Sequence, residues 1–421
     1  MIVQCGLEGK VGPAMPSALA DVRVLDLSRI LAAPLASQLL GDLGADIIKV
    51  ERPGTGDDAR SYGPPFLQSC DGEESGEAGF YLSCNRNKRS VTVDHSTPEG
   101  ADIVRRLAAT SDVFIENFRP GVLKKYGLDQ ESLRRLNPRL IYCSVTGFGQ
   151  DGPLASRPGY DGIFQAMSGM MSVSGIPDGE PGAGPMKVGV SMVDILTSLY
   201  TTSAILAALH HRDTEGEGQY IDMSLLDCGV AALSHYAQNY LISGTPQPRR
   251  GNGGFGGIPS QTFTCSDAEI FVVASTPNQW ASLVKVLGRP ELADDPEFAT
   301  VSARITNRDR VLDVLRGIFV TKPAAHWVTE LESADVPVSY VNDMHGVFAN
   351  PQVVHREVRT TVEHPSAGPL DLVRNPIRLS ATPIEEYASP PLLGEHTHDV
   401  LSERLGLTAD EVNELVRRGV L

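Results

Sequence analysis

What this 421-residue chain lacks narrows its function before any motif is read. It has no basic excess: the formal net charge is −16, which argues against a nucleic-acid footprint or affinity for anionic membrane. A polyanionic ligand therefore needs a local basic patch working against the global field. The six cysteines, at 5, 70, 84, 143, 228 and 265, include no C-x-x-C and no zinc-like grouping with histidine. Thiols in a reducing compartment are expected, and no metal site. MIVQCGLEGKVGPAMPSALA has no basic segment leading into a long apolar one, so it does not read as a secretory signal. It reads as a loose extension over residues 1–19, with Met15 an alternative start. No uninterrupted apolar run approaches spanning length, and a cytoplasmic protein with no membrane partner is expected. Neither a G-x-S-x-G elbow nor a P-loop lysine occurs, which removes support for hydrolase and kinase readings.

What is present is an alternation. VRVLDL (22–27), IIKVE (47–51), SVTVD (90–94), DVFIENF (112–118), LIYCSVTGFG (140–149) and YIDMSLL (220–226) read as strands. Helical patterns separate them: 30–45, 97–110, 131–137 and 194–211. Strands alternating with helices predict a mostly parallel, doubly wound, Rossmann-like sheet. This large domain is expected over 20–230 and 350–421, with TADEVNELVRRGVL folding back onto it. A linker and glycine-rich loop (231–257) leads to a small α+β domain over 258–349, with helices near 278–288 and 308–333.

Some motifs tempt. GNGGFG (251–256) matches G-x-G-x-x-G, but it neither follows a strand nor opens a helix, so a dinucleotide site is not supported there. It reads as a linker or as a pliable flap. His396 and His398 have no third ligand nearby. Basic residues gather at Lys49/Arg52, Arg86/Lys88/Arg89 and Arg119/Lys124/Lys125, next to strand ends, where a doubly wound sheet binds ligands; they read as a phosphate cradle. Asp194 is the only charged residue from Met192 to Leu209. A carboxylate in so apolar a stretch caps, pairs or reacts. Its place at a helix start fits an N-cap.

Taken together, VLDLSRILAAPLASQLLGDLGADIIKVERPGTGD, NRNKRSVTVD, DVFIENFRPGVLKKYGLD, NPRLIYCSVTGFGQDGP and LLGEHT resemble the family III CoA-transferases, also called the CaiB/BaiF family. The resemblance implies a homodimer of interlocked rings, each subunit with a large Rossmann-like domain and a small domain. It also implies acyl-CoA and carboxylic-acid substrates, with a CoA thioester as substrate and no permanently bound cofactor. The family nucleophile maps onto Asp194, and the flap, with its oxyanion donors, onto Gly253, Gly254, Gly256 and Gly257. CoA contacts map onto Ile30, Leu31, Arg52, Val93, Asn117, Phe118, Lys125 and Tyr126. A helix dipole at Asp194 is expected to keep it ionised. Racemases similar to this family carry a His-Asp pair where this chain has Tyr160-Asp161, making these two substrate-pocket candidates. A tyrosine of ordinary pKa near 10 is a poor base at neutrality, which disfavours an α-methylacyl-CoA racemase. A CoA-binding protein without catalysis is the third reading. Arg157, Arg249 and Arg250 are candidates to receive a second carboxylate, which makes succinyl-CoA and a dicarboxylic or hydroxy-dicarboxylic acceptor the expected pair, with formyl-CoA and oxalate the second.

Overall fold

The computed structural model describes residues 17–254 and 256–421; most of the N-terminal extension, Met15 and Phe255 lie outside them. The chain divides into two compact units. The first runs up to Ser168 and adds Gly189–Ala237 and Glu357–Leu421; the second is Gly169–Val188 with Gln238–Arg356. Three boundaries differ from those expected, the return to the first unit falling at Glu357 rather than at residue 350. Residues 169–188 pack with the second unit, where Gly175–Ile176 pairs with Gly184–Pro185 and Gly175 accepts from the Gly251 amide. The linker, too, divides at Ala237 rather than standing apart.

The first unit is built on six parallel strands: β1 (Arg23–Asp26), β2 (Asp46–Glu51), β3 (Lys88–Thr92), β4 (Val113–Glu116), β5 (Ile141–Thr146) and β6 (Tyr220–Ser224). Across the sheet they run β3-β2-β1-β4-β5-β6, the order of a Rossmann sheet, which reverses between β1 and β4. Every residue of β4 and β5 is buried, as expected where helices cover both faces. The helices that position the site are α1 (Ala32–Asp42), α2 (Pro98–Ala109), α3 (Asp161–Met167) and α4 (Met192–Glu215). Two further helices, α5 (Thr397–Leu405) and α6 (Ala409–Arg417), close the unit. Val400, Leu401, Val412, Val420 and Leu421 share one core with Leu25, Ile48, Val91 and Phe114, so the C-terminal segment does fold onto the large unit.

Helix α4 corrects the expectation about apolar length. Its 24 residues reach a mean hydropathy of 1.5 over an 18-residue window, enough by length and composition to cross a membrane. Half of that window is buried within the protein, and the helix packs on α1, β5 and β6. Buried Arg212 near its end pairs with Asp112 at 2.6 Å. It is a core helix of this unit.

The second unit holds a three-stranded antiparallel sheet, Ser260–Thr264, Glu269–Val273 and Val338–Tyr340, backed by helices. Its core centres on Phe263, Trp280, Phe319 and Trp327. The stretch expected as one helix over 308–333 is two, Arg308–Phe319 and Ala324–Ser333. Pro323 stands at the N-cap of the second, where its fixed φ and missing N–H are tolerated.

Candidate active site

The crevice at a doubly wound sheet's reversal point is where ligands bind, because two crossovers diverge there and leave the strand ends open. Here it lies beyond the ends of β1 and β4. Asn117, just after β4, ties the two together: its Nδ2 donates to the Arg29 carbonyl at 2.7 Å, and its Oδ1 accepts from the Arg29 amide at 3.0 Å. The turn between them and α1 is strained at Ile30, a β-branched residue at φ +75°. The Ile30 amide donates to Asp57 Oδ1 at 3.0 Å. The start of α1 has no side-chain cap, so its first amides are open to a ligand.

Half of the expected phosphate cradle proves to be paired with carboxylates, with Lys49 and Lys88 bracing this turn. Lys49 is fully buried and reaches Asp57 and the Ser28 carbonyl, each at 2.9 Å. Burial opposes its charge, but Asp57, Asp26 and Glu51 outweigh that and hold its pKa above the usual lysine value. Lys88 is equally buried against Asp26 (3.2 Å), the Pro34 carbonyl and Asn85. Arg86 pairs with Asp42 at 2.6 Å, and Arg89 with Asp46 and Glu403, each at 2.8 Å. Arg52, Arg119, Lys124 and Lys125 stay exposed.

A cleft of about 440 Å³ opens over the turn. Ile30, Leu31, Asn117, Phe118, Tyr160 and Asp194 all line it, as do Arg29, Arg119 and Arg157. An adjoining recess of about 30 Å³ shares Arg29 and Phe118 and adds Arg52 and His95. The His95 ring meets Phe118 at 5.3 Å and Tyr126 at 5.6 Å, both edge-to-face. Arg29 lies 5.3 Å over Phe118, and Lys125 4.8 Å over Tyr126. Burial, together with Arg29, Arg52 and Lys125, lowers the His95 pKa against the pull of Asp94. Stacking faces ringed by cations suit a purine carrying phosphates. Val93 does not line the cleft: it is fully buried, and its backbone groups are bound to Glu51 and His95, so it aims the strand end rather than touching a ligand. Arg29 and His95 were missed in the sequence; the strand-end rule, applied to β1 and β3, points to both.

Asp194 is not the cap of its helix. It is the third residue of α4, and the cap position is Ser191, whose side chain makes no capping bond. The capping carboxylate comes from Asp161 on α3: Oδ1 accepts from the Val193 amide at 2.8 Å and weakly from that of Asp194 at 3.4 Å. Oδ2 accepts from Gln165 Nε2 at 2.7 Å, which leaves buried Asp161 engaged on both oxygens. The Asp194 carboxylate has no hydrogen-bond partner among the described residues. Burial first, and then the Asp161 charge, push its pKa up to about 7, so the helix terminus does not keep it low as expected. Tyr160 is 67% exposed at the rim. Phe164 forms a wall pressed so close that a Cβ on Gly159 or Gly147 would lie 2.3 or 2.6 Å from its ring.

The glycine loop belongs to the second unit. Neither Gly253, Gly254 nor Gly257 has a left-handed φ; Gly251 has one, at +58°. Gly257 is needed for space, since a Cβ there would lie 2.8 Å from Ser275 Cα. Gly256 faces open room. Arg249 is held by Asp178 and by the Ile176 carbonyl.

Such a cleft defines the class first: an α/β protein whose sheet-end crevice sets stacking rings and cations beside a carboxylate with no hydrogen-bond partner among the described residues. The chain matches the CoA-transferase family III profile over residues 19–397. A succinate–glutarate CoA-transferase of Agrobacterium fabrum is 46% identical over 385 residues, 91% of this chain and 95% of that protein. The succinyl-CoA:glutarate CoA-transferase of Homo sapiens is 41% identical over 403 residues, 96% of this chain and 90% of that one. A solved CaiB/BaiF family protein from Brucella suis is similar with a TM-score of 0.83 at 42% identity, covering 92% of this chain and all of that one (100%). The chain belongs to CoA-transferase family III and is an enzyme that moves CoA between an acyl-CoA and a carboxylic acid.

Proposed function

We propose that this enzyme transfers CoA from succinyl-CoA to glutarate or a similar dicarboxylate, with Asp194 as a covalent nucleophile. One observation carries the reading: the unpartnered Asp194 carboxylate shares a cleft with Phe118 and Arg29, which adjoin the His95 and Arg52 recess. The relatives that act on succinate, succinyl-CoA and glutarate give the substrates. An ionised Asp194 oxygen attacks the thioester carbonyl, the C–S bond breaks, and CoA leaves as thiolate from a mixed anhydride. The thiolate then attacks the aspartyl carbonyl, the anhydride C–O bond breaks, and succinate departs from an aspartyl-CoA thioester. The acceptor carboxylate attacks that thioester and expels the thiolate, which attacks the acceptor-derived carbonyl of the new anhydride. Asp194 is thereby regenerated. A carboxylate with a pKa near 7 is more basic, and so more nucleophilic, than an ordinary one, while enough remains ionised at neutral pH.

The CoA contacts in this reading are the α1 start after Ile30 and Leu31, the Phe118, His95 and Tyr126 rings, and Arg29, Arg52 and Lys125. Exclusion of water by Gly253, Gly254, Gly256 and Gly257 rests on the family pattern. So does the interlocked homodimer, while the cytoplasmic setting rests on the sequence reading of the N-terminal segment and the apolar runs. Subunits so linked should form no mixed dimers when tagged and untagged folded proteins are held together for hours.

The central test is an incubation with succinyl-CoA alone, quenched in acid and read by intact mass. CoA should be attached, and hydroxylamine should release it and leave Asp194 as a hydroxamate. Asp194→Asn should show neither adduct nor transfer. Wild type that transfers CoA without any adduct overturns the mechanism.

A further inference from the structure

We infer that Arg157 receives the distal carboxylate of a dicarboxylic substrate whose other end reacts at Asp194; this rests on the Asp194 chemistry proposed above. The cleft-lining charges are few: Arg29, Arg119 and Arg157 against Asp58 and Asp194. Arg29 is already paired with Asp58 at 3.0 Å. Arg119 directly follows Phe118, at the end of the cleft that adjoins the ring cluster and its cations. Arg157 makes no ion pair among the described residues and sits on the loop that leads into α3.

That loop is fastened to the nucleophile's helix. Four residues after Arg157 comes Asp161, whose carboxylate holds the Val193 and Asp194 amides. A fully extended chain covers at most about 14 Å over four residues, so Arg157 cannot stray far from the start of α4. Between the two, Gly159 is pressed onto the Phe164 ring, which fixes the loop against the cleft wall. An exposed arginine by itself is ordinary surface. An arginine without an ion pair, tethered to an unpartnered carboxylate in one cleft, is placed for a substrate with two acidic ends. One end must stay free to react, and the other gains most from a planar, bidentate guanidinium. Arg249, the other sequence candidate with a resolved partner, is closed by Asp178.

The test uses the full chain, with succinyl-CoA as donor and either glutarate or butyrate as acceptor. Because the donor is common, the ratio of the two kcat/KM values isolates the acceptor's second carboxylate. Arg157→Gln should lower the glutarate-over-butyrate ratio at least about tenfold, the scale of one charge-assisted hydrogen bond, and Arg157→Lys should restore part of it. A ratio within twofold of wild type overturns the inference. Calorimetric binding of glutarate, with CoA present, to Asp194→Asn and to Asp194→Asn/Arg157→Gln gives an answer independent of turnover: the double variant should bind at least about tenfold more weakly. Equal binding overturns the Arg157 role. Adduct mass in Arg157→Gln reports on Asp194 separately, so failure of one idea is distinguishable from failure of the other.

Discussion

Two populations of charge lie within the same unit and behave in opposite ways. Beneath the turn after β1, Lys49, Asp57, Lys88 and Asp26 are almost wholly buried, and each meets an opposite charge and further hydrogen bonds. Beside it, Asp194 is half-buried with no hydrogen-bond or ion-pair partner among the described residues, and the charge that pushes its pKa up, Asp161, has the same sign. The first group spends its charges on one another to hold Ile30 and α1 in place. The second leaves a carboxylate unpaired in the cleft proposed to take the substrate. Paired buried charge holds structure here, and the unpaired carboxylate is the one proposed above for the chemistry.

The strongest way to break this contrast is to remove one partner from each group and compare stability. Lys49→Met strands Asp57 in the interior and should cost about 3–5 kcal/mol of unfolding free energy in denaturant titrations. Asp194→Asn should cost nothing at pH 8 and should stabilise by about 1 kcal/mol, after allowance for solvent screening. The sign follows from the raised pKa. Between about 4 and about 7 the unfolded chain has lost this proton and the folded chain keeps it, so wild-type stability falls as pH rises through that window. The advantage of Asn should therefore vanish near pH 4. A destabilised Asp194→Asn protein at pH 8 would mean that the carboxylate has a structural partner after all.

A smaller effect sharpens the contrast at its boundary. Asp161 belongs to both groups: it caps α4, and it raises the Asp194 pKa by like charge. Asp161→Asn retains an acceptor oxygen for the Val193 amide but removes the negative charge. The acidic limb of adduct formation, expected near pH 7 in wild type, should then move to lower pH. An unmoved limb would assign that titration to another group.

The strands were legible because runs such as IIKVE and LIYCSVTGFG are apolar and β-branched, with glycine or charged residues at their ends. The Asp194 position was legible through the family pattern, but its surroundings were not. The cap comes from Asp161, which precedes it by 33 residues, and no local rule connects the two. The basic clusters misled for the same reason: the partners of Lys88 and Arg86 are Asp26 and Asp42, carried on a distant strand and helix. The break before Ala324 was readable, since Pro323 is visible in the sequence and cannot sit inside a helix. The glycine loop read as a linker or a pliable flap, whereas Gly257 is required by the nearness of Ser275, a tertiary fact.

The seam between Leu25 and the C-terminal residues carries a consequence for how the protein is made. Val400, Leu401, Val412 and Val420 complete a core begun by the first strand, and Val420 accepts a backbone hydrogen bond from Asp94 at 2.8 Å. On a ribosome adding roughly 5–20 residues per second, the early strands wait tens of seconds for those side chains. During that interval the nascent sheet has an open flank, and α4, apolar enough for a bilayer, has already emerged. The whole second unit is synthesised within the same gap. Slower elongation between residues 225 and 397 lengthens that exposure, and the folded yield measured at several translation speeds should fall with it.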